Sequence, residues 1–340
     1  MTRMNFTITK CVTLAICNLM LIPLQRVESL FNDVSDLKLN VNIIYDVVDS
    51  KYAFDYGYSK PSHFITSKSG KLEMGFDYPQ GLVKNSYRYH RNNITVNNGD
   101  FDTDMDFNNV TLNESLYKPY DIEIHVNSKF ASHYYFRNNA TKITDIQVDF
   151  EYLITRFIIK GMGIYSSYSN HIPGLVTTGF ASTDAIVVGS SYERIVKEFQ
   201  RPTIFDRHVL IKIQRSFIWQ YYKSSLDLRN MEIKKSRWTW FKKFHIIGYD
   251  FASCLHRYVL LSQNLKYILD VDAYDGLILN DKRIDDEIVL DLLHEKYCDT
   301  VEFVLCANII KGKIFEEMYE GVRIGPRVKR MLEVLGYKMK

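Results

Sequence analysis

Two stretches decide what kind of fold this chain makes: LKLNVNIIYDVV, residues 37–48, and YDIEIHVNS, residues 120–128. Both are short and dense in β-branched and aromatic residues, the composition of strands that pack side chains on a pleated surface. Working outward, HFITS (63–67), KLEMGF (71–76), KITDIQVDF (142–150) and LITRFIIKG (153–161) read the same way. Turn-prone runs such as NNGDFDTD (97–104) separate them. Segment 161–191 is rich in Gly and Ser and reads as loop with one strand. Beyond it the pattern changes. SYERIVKEF (191–199) has helical spacing, HVLIKIQ (208–214) reads as a strand, and DFASCLHRYVLLSQNLKYIL (250–269) again has helical spacing. Two or three further helices are expected over 283–336, one of them interrupted at Gly325-Pro326. The expectation is an α+β fold: a β-rich part over 30–160, then a mixed, more helical part over 161–340.

Composition narrows the class. The 340 residues are 46% hydrophobic and 24% charged, with 43 Lys+Arg against 40 Asp+Glu. That is enough apolar material for a sizeable core, and the mean hydropathy of −0.19 fits neither a polytopic membrane protein nor a disordered chain. A net charge of +3 argues against a dedicated polyanion binder, which would be distinctly more basic.

The N-terminus has the pattern of a cleaved secretion signal over residues 1–29. Arg3 and Lys10 precede the apolar run CVTLAICNLMLIPL (11–24), and Val27 and Ser29 stand at the spacing a signal peptidase accepts. The apolar run is too short to span a bilayer comfortably, so no stable membrane insertion is expected. The other reading of the segment is a buried first helix. Sequons at Asn5, Asn93, Asn109, Asn113 and Asn139 accord with secretion. After removal of 1–29 the cysteines are Cys254, Cys298 and Cys306, an odd set with no metal-ligand spacing. In a secreted chain such a set suggests one internal disulfide and one thiol for a disulfide-linked partner chain; the other reading is three buried thiols in a cytosolic interior. Eight residues of continuous helix would hold Cys298 and Cys306 about 12 Å apart, too far to pair.

The residues that carry chemistry are dispersed. Tyr134-Tyr135-Phe136-Arg137 is followed by Gly179-Phe180-Ala181-Ser182-Thr183-Asp184 and then by Asn230-Met231-Glu232. This order resembles the secreted ADP-ribosyltransferases of the cholera and pertussis toxin kind, with an aromatic-Arg strand, a Ser-Thr-Ser strand and a Glu-x-Glu loop. Asp184 stands at the third place of the triplet and Asn230 at the first Glu. The resemblance implies NAD as substrate, with Arg137 and Thr183 supporting the cofactor pocket, Ser182 stiffening it and Glu232 stabilising an oxocarbenium-like transition state.

Other patterns are weaker. Ser253, Arg257-Tyr258 and Asp270-Val271-Asp272 have spacing similar to sugar-nucleotide transferases, or form a solvated turn after a helix. Gly189-Ser190 through Phe205-Asp206 is similar to the entry of a nucleotidyltransferase core, but Ile204 stands where its paired acid belongs. Lys234 to His245 interleaves bases with Trp238, Trp240 and Phe241, suiting RNA contact or an amphipathic strand. His171, His208, His245, His256 and His294 are candidate general acids or bases, and no spacing singles one out.

Three functions follow as expectations. The first is a secreted, toxin-like enzyme transferring ADP-ribose to a host macromolecule. The second is a metal-free, tRNA-cleaving ribonuclease, similar in organisation to killer-toxin subunits. The third is a non-enzymatic viral or parasite surface or capsid protein.

Overall fold

The computed structural model describes residues 5–10, 14–34, 38–48, 56–66, 76–91, 117–137, 142–169, 182–183, 185–189, 194–199, 201–212, 215–218, 232–233, 265–270, 273, 275–280, 283–284, 287–288 and 290–340. The chain forms two compact units. The first comprises 1–73, 78–164 and 295–340, and the second 74–77 and 165–294. Residues 295–340 belong with the first unit. The class is α+β, with a strand-rich N-terminal part.

Unit 1 is built on a four-stranded sheet of β1 (Asn5–Lys10), β2 (Asn40–Asp46), β3 (Gly57–Pro61) and β4 (Ile122–Asn127), in the order β1-β2-β4-β3. β1, β2 and β4 run parallel and β3 pairs antiparallel with β4. Parallel strands covered on both faces would read as continuous apolar runs. β4 instead alternates: Ile122, Ile124 and Val126 are buried, while Glu123 and His125 are part-exposed. One face of the sheet therefore carries the core and the other is only half covered.

Three helices accompany the sheet: α1 (Leu14–Val34), α2 (Gln80–Arg91) and α3 (Phe150–Gly161). α3 packs on β3 and β4, and α1 packs on α3. At Gly161 an added Cβ would lie 2.3 Å from Ile122 Cγ2, so the C-terminal end of α3 lies too close to β4 for any side chain. Here the structure corrects the sequence reading: LITRFIIKG is helix. All twelve residues of α3 are buried, the polar Glu151, Thr155, Arg156 and Lys160 included, so the helix shows no exposed polar face and its β-branched, aromatic run reads like a buried strand. Its start is fixed by Asp149, whose carboxylate accepts the backbone N–H groups of Glu151 and Tyr152.

The segment with the pattern of a leader supplies β1 and most of α1. Met20, Leu24, Val27 and Phe31 are buried, whereas Leu19, Leu21 and Ile22 are about half exposed. Arg26 pairs with the buried Glu151 of α3 at 2.7 Å. Among the described residues no helix is long and apolar enough to cross a membrane.

The C-terminal segment returns to unit 1 as 3-10 turns at Glu295–Tyr297, Phe303–Leu305 and Phe315–Gly321, followed by α4 (Pro326–Leu335). Among the described residues of 283–336, the expected helices are three 3-10 turns and one α-helix. Gly325-Pro326 opens that helix rather than interrupting it, with Pro at the first helical position, where its missing N–H costs nothing. Because the segment is not a continuous helix, Cys298 and Cys306 come within 5.2 Å (Cα–Cα) and form a disulfide. This corrects the expectation that they lie too far apart. Cys254 lies outside the described residues.

Unit 2 contains small antiparallel sheets. β5 (Tyr168–Ser169) pairs with β6 (Ser182–Thr183). β7 (Ala185–Gly189), β8 (Arg194–Phe199) and β11 (Glu232–Ile233) form one sheet, with β8 in the middle. β9 (Val209–Ile211), β10 (Ser216–Phe217), β12 (Leu265–Asp270) and β13 (Asp275–Ile278) form another, in the order β10-β9-β12-β13. The expected helix over 191–199 is thus strand β8. The part of 250–269 that is described, from Leu265, is strand β12.

Candidate functional site

On the half-covered face of the unit 1 sheet, register brings together four side chains that can do acid–base chemistry. β3 runs against β4 so that Tyr58 lies opposite His125 and Lys60 opposite Glu123. His125 Nε2 is 2.7 Å from Glu123 Oε1, and Lys60 Nζ is 3.4 Å from the same oxygen. The Tyr58 ring stacks on the imidazole, with centroids 4.4 Å apart and planes 9° from parallel. The side chains of His125, Glu123 and Lys60 are 19%, 29% and 47% exposed, so solvent or a ligand reaches all three.

Electrostatics orders the group. Burial works to raise the Glu123 carboxyl, but the hydrogen bond with His125 and the charge of Lys60 outweigh it and hold it below its ordinary range. Glu123 is therefore ionised near neutral pH and can only accept. The proton of the 2.7 Å bond then belongs to His125 Nε2, leaving the lone pair of the neutral ring on Nδ1. Burial raises the Tyr58 hydroxyl, against an opposing pull from Lys60. The arrangement is a carboxylate-oriented imidazole with a cation beside it.

The residues singled out from the sequence are placed as follows. Arg137 lies in unit 1, where it pairs with Glu316, which Arg323 also holds at 3.0 Å. Ser182 and Thr183 form β6 in unit 2, opposite Ser169 and Tyr168. Glu232 lies in β11 opposite Ile195 of β8, also in unit 2. Asp270 ends β12. Ser253, Arg257 and Asp272 lie outside the described residues, as do 234–245, His171, His245 and His256.

Asp206 is fully buried and caged by donors. The hydroxyls of Ser166, Ser167 and Thr203 donate to it, as do the backbone N–H groups of Ser167 and Thr203. Burial nevertheless raises its carboxyl above the ordinary value. It holds the turn that starts the short helix Ile204–Arg207. His208 is buried, and its imidazole is driven down to about 3 by burial and by Arg207, so it stays neutral near physiological pH. Among the described residues no group of His, Cys, Asp and Glu could hold a metal ion.

Sequence reasoning passed over His125 and Glu123 although it read their strand. Two residues apart on one strand, they share a face, and that was the available signal. Tyr58 and Lys60 left none, because GYSKP carries Gly and Pro at its ends and joins the sheet only through its pairing with β4. Compared with family models, curated proteins and solved structures, the chain shows no match.

Proposed function

We propose that this protein is a metal-independent ribonuclease of the secreted, toxin-like kind, with His125, Glu123 and Lys60 as its working groups. The observation that carries the reading is the 2.7 Å pairing of a part-exposed imidazole with an ionised carboxylate, with a lysine on the same oxygen. RNA contains its own nucleophile, so what a protein must add is a base, a cation and positioning. His125 Nδ1 takes the 2′-hydroxyl proton while Glu123 fixes the ring and stabilises the imidazolium that forms. The 2′-oxygen bonds to phosphorus, and Lys60 balances the charge growing on the phosphoryl oxygens. The 5′-oxygen then leaves, taking a proton from water, and the upstream fragment ends in a 2′,3′-cyclic phosphate.

The test is incubation of the full chain with tRNA and analysis of the fragment ends. Cleavage to cyclic phosphate ends that His125→Ala lowers by roughly 10²–10⁴-fold is expected. Intact tRNA after prolonged incubation with folded protein refutes the reading.

ADP-ribosyl transfer is the second reading, supported by the presence of Ser182, Thr183 and Glu232 on strands of one unit. Label transfer from NAD to proteins of a cell extract, abolished by Glu232→Gln, would replace the first reading with this one.

A further inference from the structure

The Cys298–Cys306 disulfide closes a ring that ties the C-terminal segment to the rest of unit 1. Within that ring Phe303, Val304, Leu305 and Cys306 are fully buried. Glu302, also in the ring and 4% exposed, accepts the backbone N–H groups of Arg327 (3.0 Å) and Val328 (2.9 Å) in the first turn of α4. An added Cβ at Gly325 would sit 2.3 Å from Glu302 Oε2, so the absence of a side chain there lets the carboxylate reach the helix. From α3, the buried Arg156 donates through Nη1 to the carbonyls of Val304 (3.0 Å) and Cys306 (2.6 Å). The Tyr319 hydroxyl donates to the carbonyl of Cys298. One covalent ring thus meets α3, α4 and the turn Phe315–Gly321 at once.

We propose that the Cys298–Cys306 bond is a thiol–disulfide exchange site acting as a latch: oxidised, it keeps α4 docked, and reduced by a dithiol, it lets α4 open. Three features carry this. The ring has a sequence separation of 8, and closing even a ring this short removes part of the freedom its residues would gain on opening. The groups that hold α4 and engage Arg156 lie inside the ring, so they open together. The two sulfurs also differ in access, since Cys298 is part-exposed and Cys306 is fully buried.

The chemistry follows from that difference. A thiolate of the reductant attacks Cys298 Sγ and the disulfide bond breaks. Cys306 departs as a thiolate and takes up a proton. The second thiol of the reductant then displaces Cys298, which also leaves as a thiol. The dithiol supplies two electrons and two protons and ends as a disulfide. A chain passing from an oxidising to a reducing compartment would carry α4 docked before and released after.

Hydrogen exchange read by mass spectrometry on the full chain, with and without dithiothreitol, tests the proposal. On reduction, peptides covering 326–335 should exchange on the order of 50-fold faster, the chain-entropy value for so short a ring. Peptides from β2 and β4 should stay unchanged, and oxidised glutathione should restore slow exchange. Cys298→Ser/Cys306→Ser should match the reduced protein, and if that variant fails to fold, the wild-type comparison alone decides. Unchanged exchange in α4 overturns the proposal, as does an equal rise throughout the chain. So does peptide mapping that finds Cys298 and Cys306 themselves as free thiols in protein purified without reductant. None of these outcomes depends on whether the protein cleaves RNA.

Discussion

Asp149 offers the sharpest test of how unit 1 is held together. Its carboxylate is 1% exposed and serves two distant parts of the chain. Oδ1 accepts from the N–H groups of Glu151 (2.8 Å) and Tyr152 (3.4 Å), capping α3. Oδ2 accepts from the N–H of Phe315 (3.0 Å), 166 residues away. Asp149→Ala removes the cap, at about 1 kcal/mol. It also leaves the Phe315 amide buried and unpaired, at about 1–3 kcal/mol. The expected cost is therefore about 2–4 kcal/mol. Urea unfolding should show it as a lower midpoint at unchanged slope.

The same residue predicts a pH signature. Burial, with a further push from Glu151, raises the Asp149 carboxyl to about 6 against the pull of its amide donors. The folded state then binds the proton more tightly than the unfolded state, so this group's contribution to stability falls as pH rises from about 4 to about 6. Asp149→Asn lacks that titration, so its cost relative to wild type should shrink across the same window, by at most about 1.4 kcal/mol per pH unit. Asp149→Ala costing less than about 0.5 kcal/mol, or an Asn variant whose cost grows with pH, would refute the reasoning.

Other outcomes follow from buried groups elsewhere. His208, held at about 3 in the folded state, should make unit 2 lose stability as pH falls from about 6.5 to about 3, because the unfolded imidazole takes up a proton that the folded one refuses. His208→Phe should flatten that part of the stability profile, measured by thermal melts across pH. The Tyr152 hydroxyl is buried with no hydrogen-bond partner among the described residues, so Tyr152→Phe should raise the urea midpoint by the equivalent of about 1 kcal/mol. Arg26→Ala leaves the carboxylate of Glu151, 3% exposed, without its partner and should cost about 1–2 kcal/mol, less than a fully buried pair because Arg26 is itself 36% exposed. An intact mass from secretory expression, read beside that result, tells whether residues 1–29 stay in the folded protein.

What the sequence determined by itself is local. β2 and β4 were legible as strands because β-branched runs favour a pleated surface wherever they lie in the chain. The α+β class was legible for the same reason. α3 was not legible, because a helix buried on every side has no solvent-facing polar side, and its Glu151, Thr155, Arg156 and Lys160 are accommodated only by what surrounds them. The disulfide turned on a break in helicity between Glu295 and Leu305 that lone residue spacing does not reveal. The candidate site depended on register. Glu123 and His125 share a face by local geometry, but Tyr58 and Lys60 reach them only because β3 pairs antiparallel with β4 at one particular offset. A one-residue slip would turn both away to the core face. Asp149 meets Phe315, and Glu302 meets Arg327 and Val328, by the same kind of long-range closure. Such pairings are selected by burial and packing of the whole unit, and a short window of sequence cannot register energies that exist only once distant segments have met.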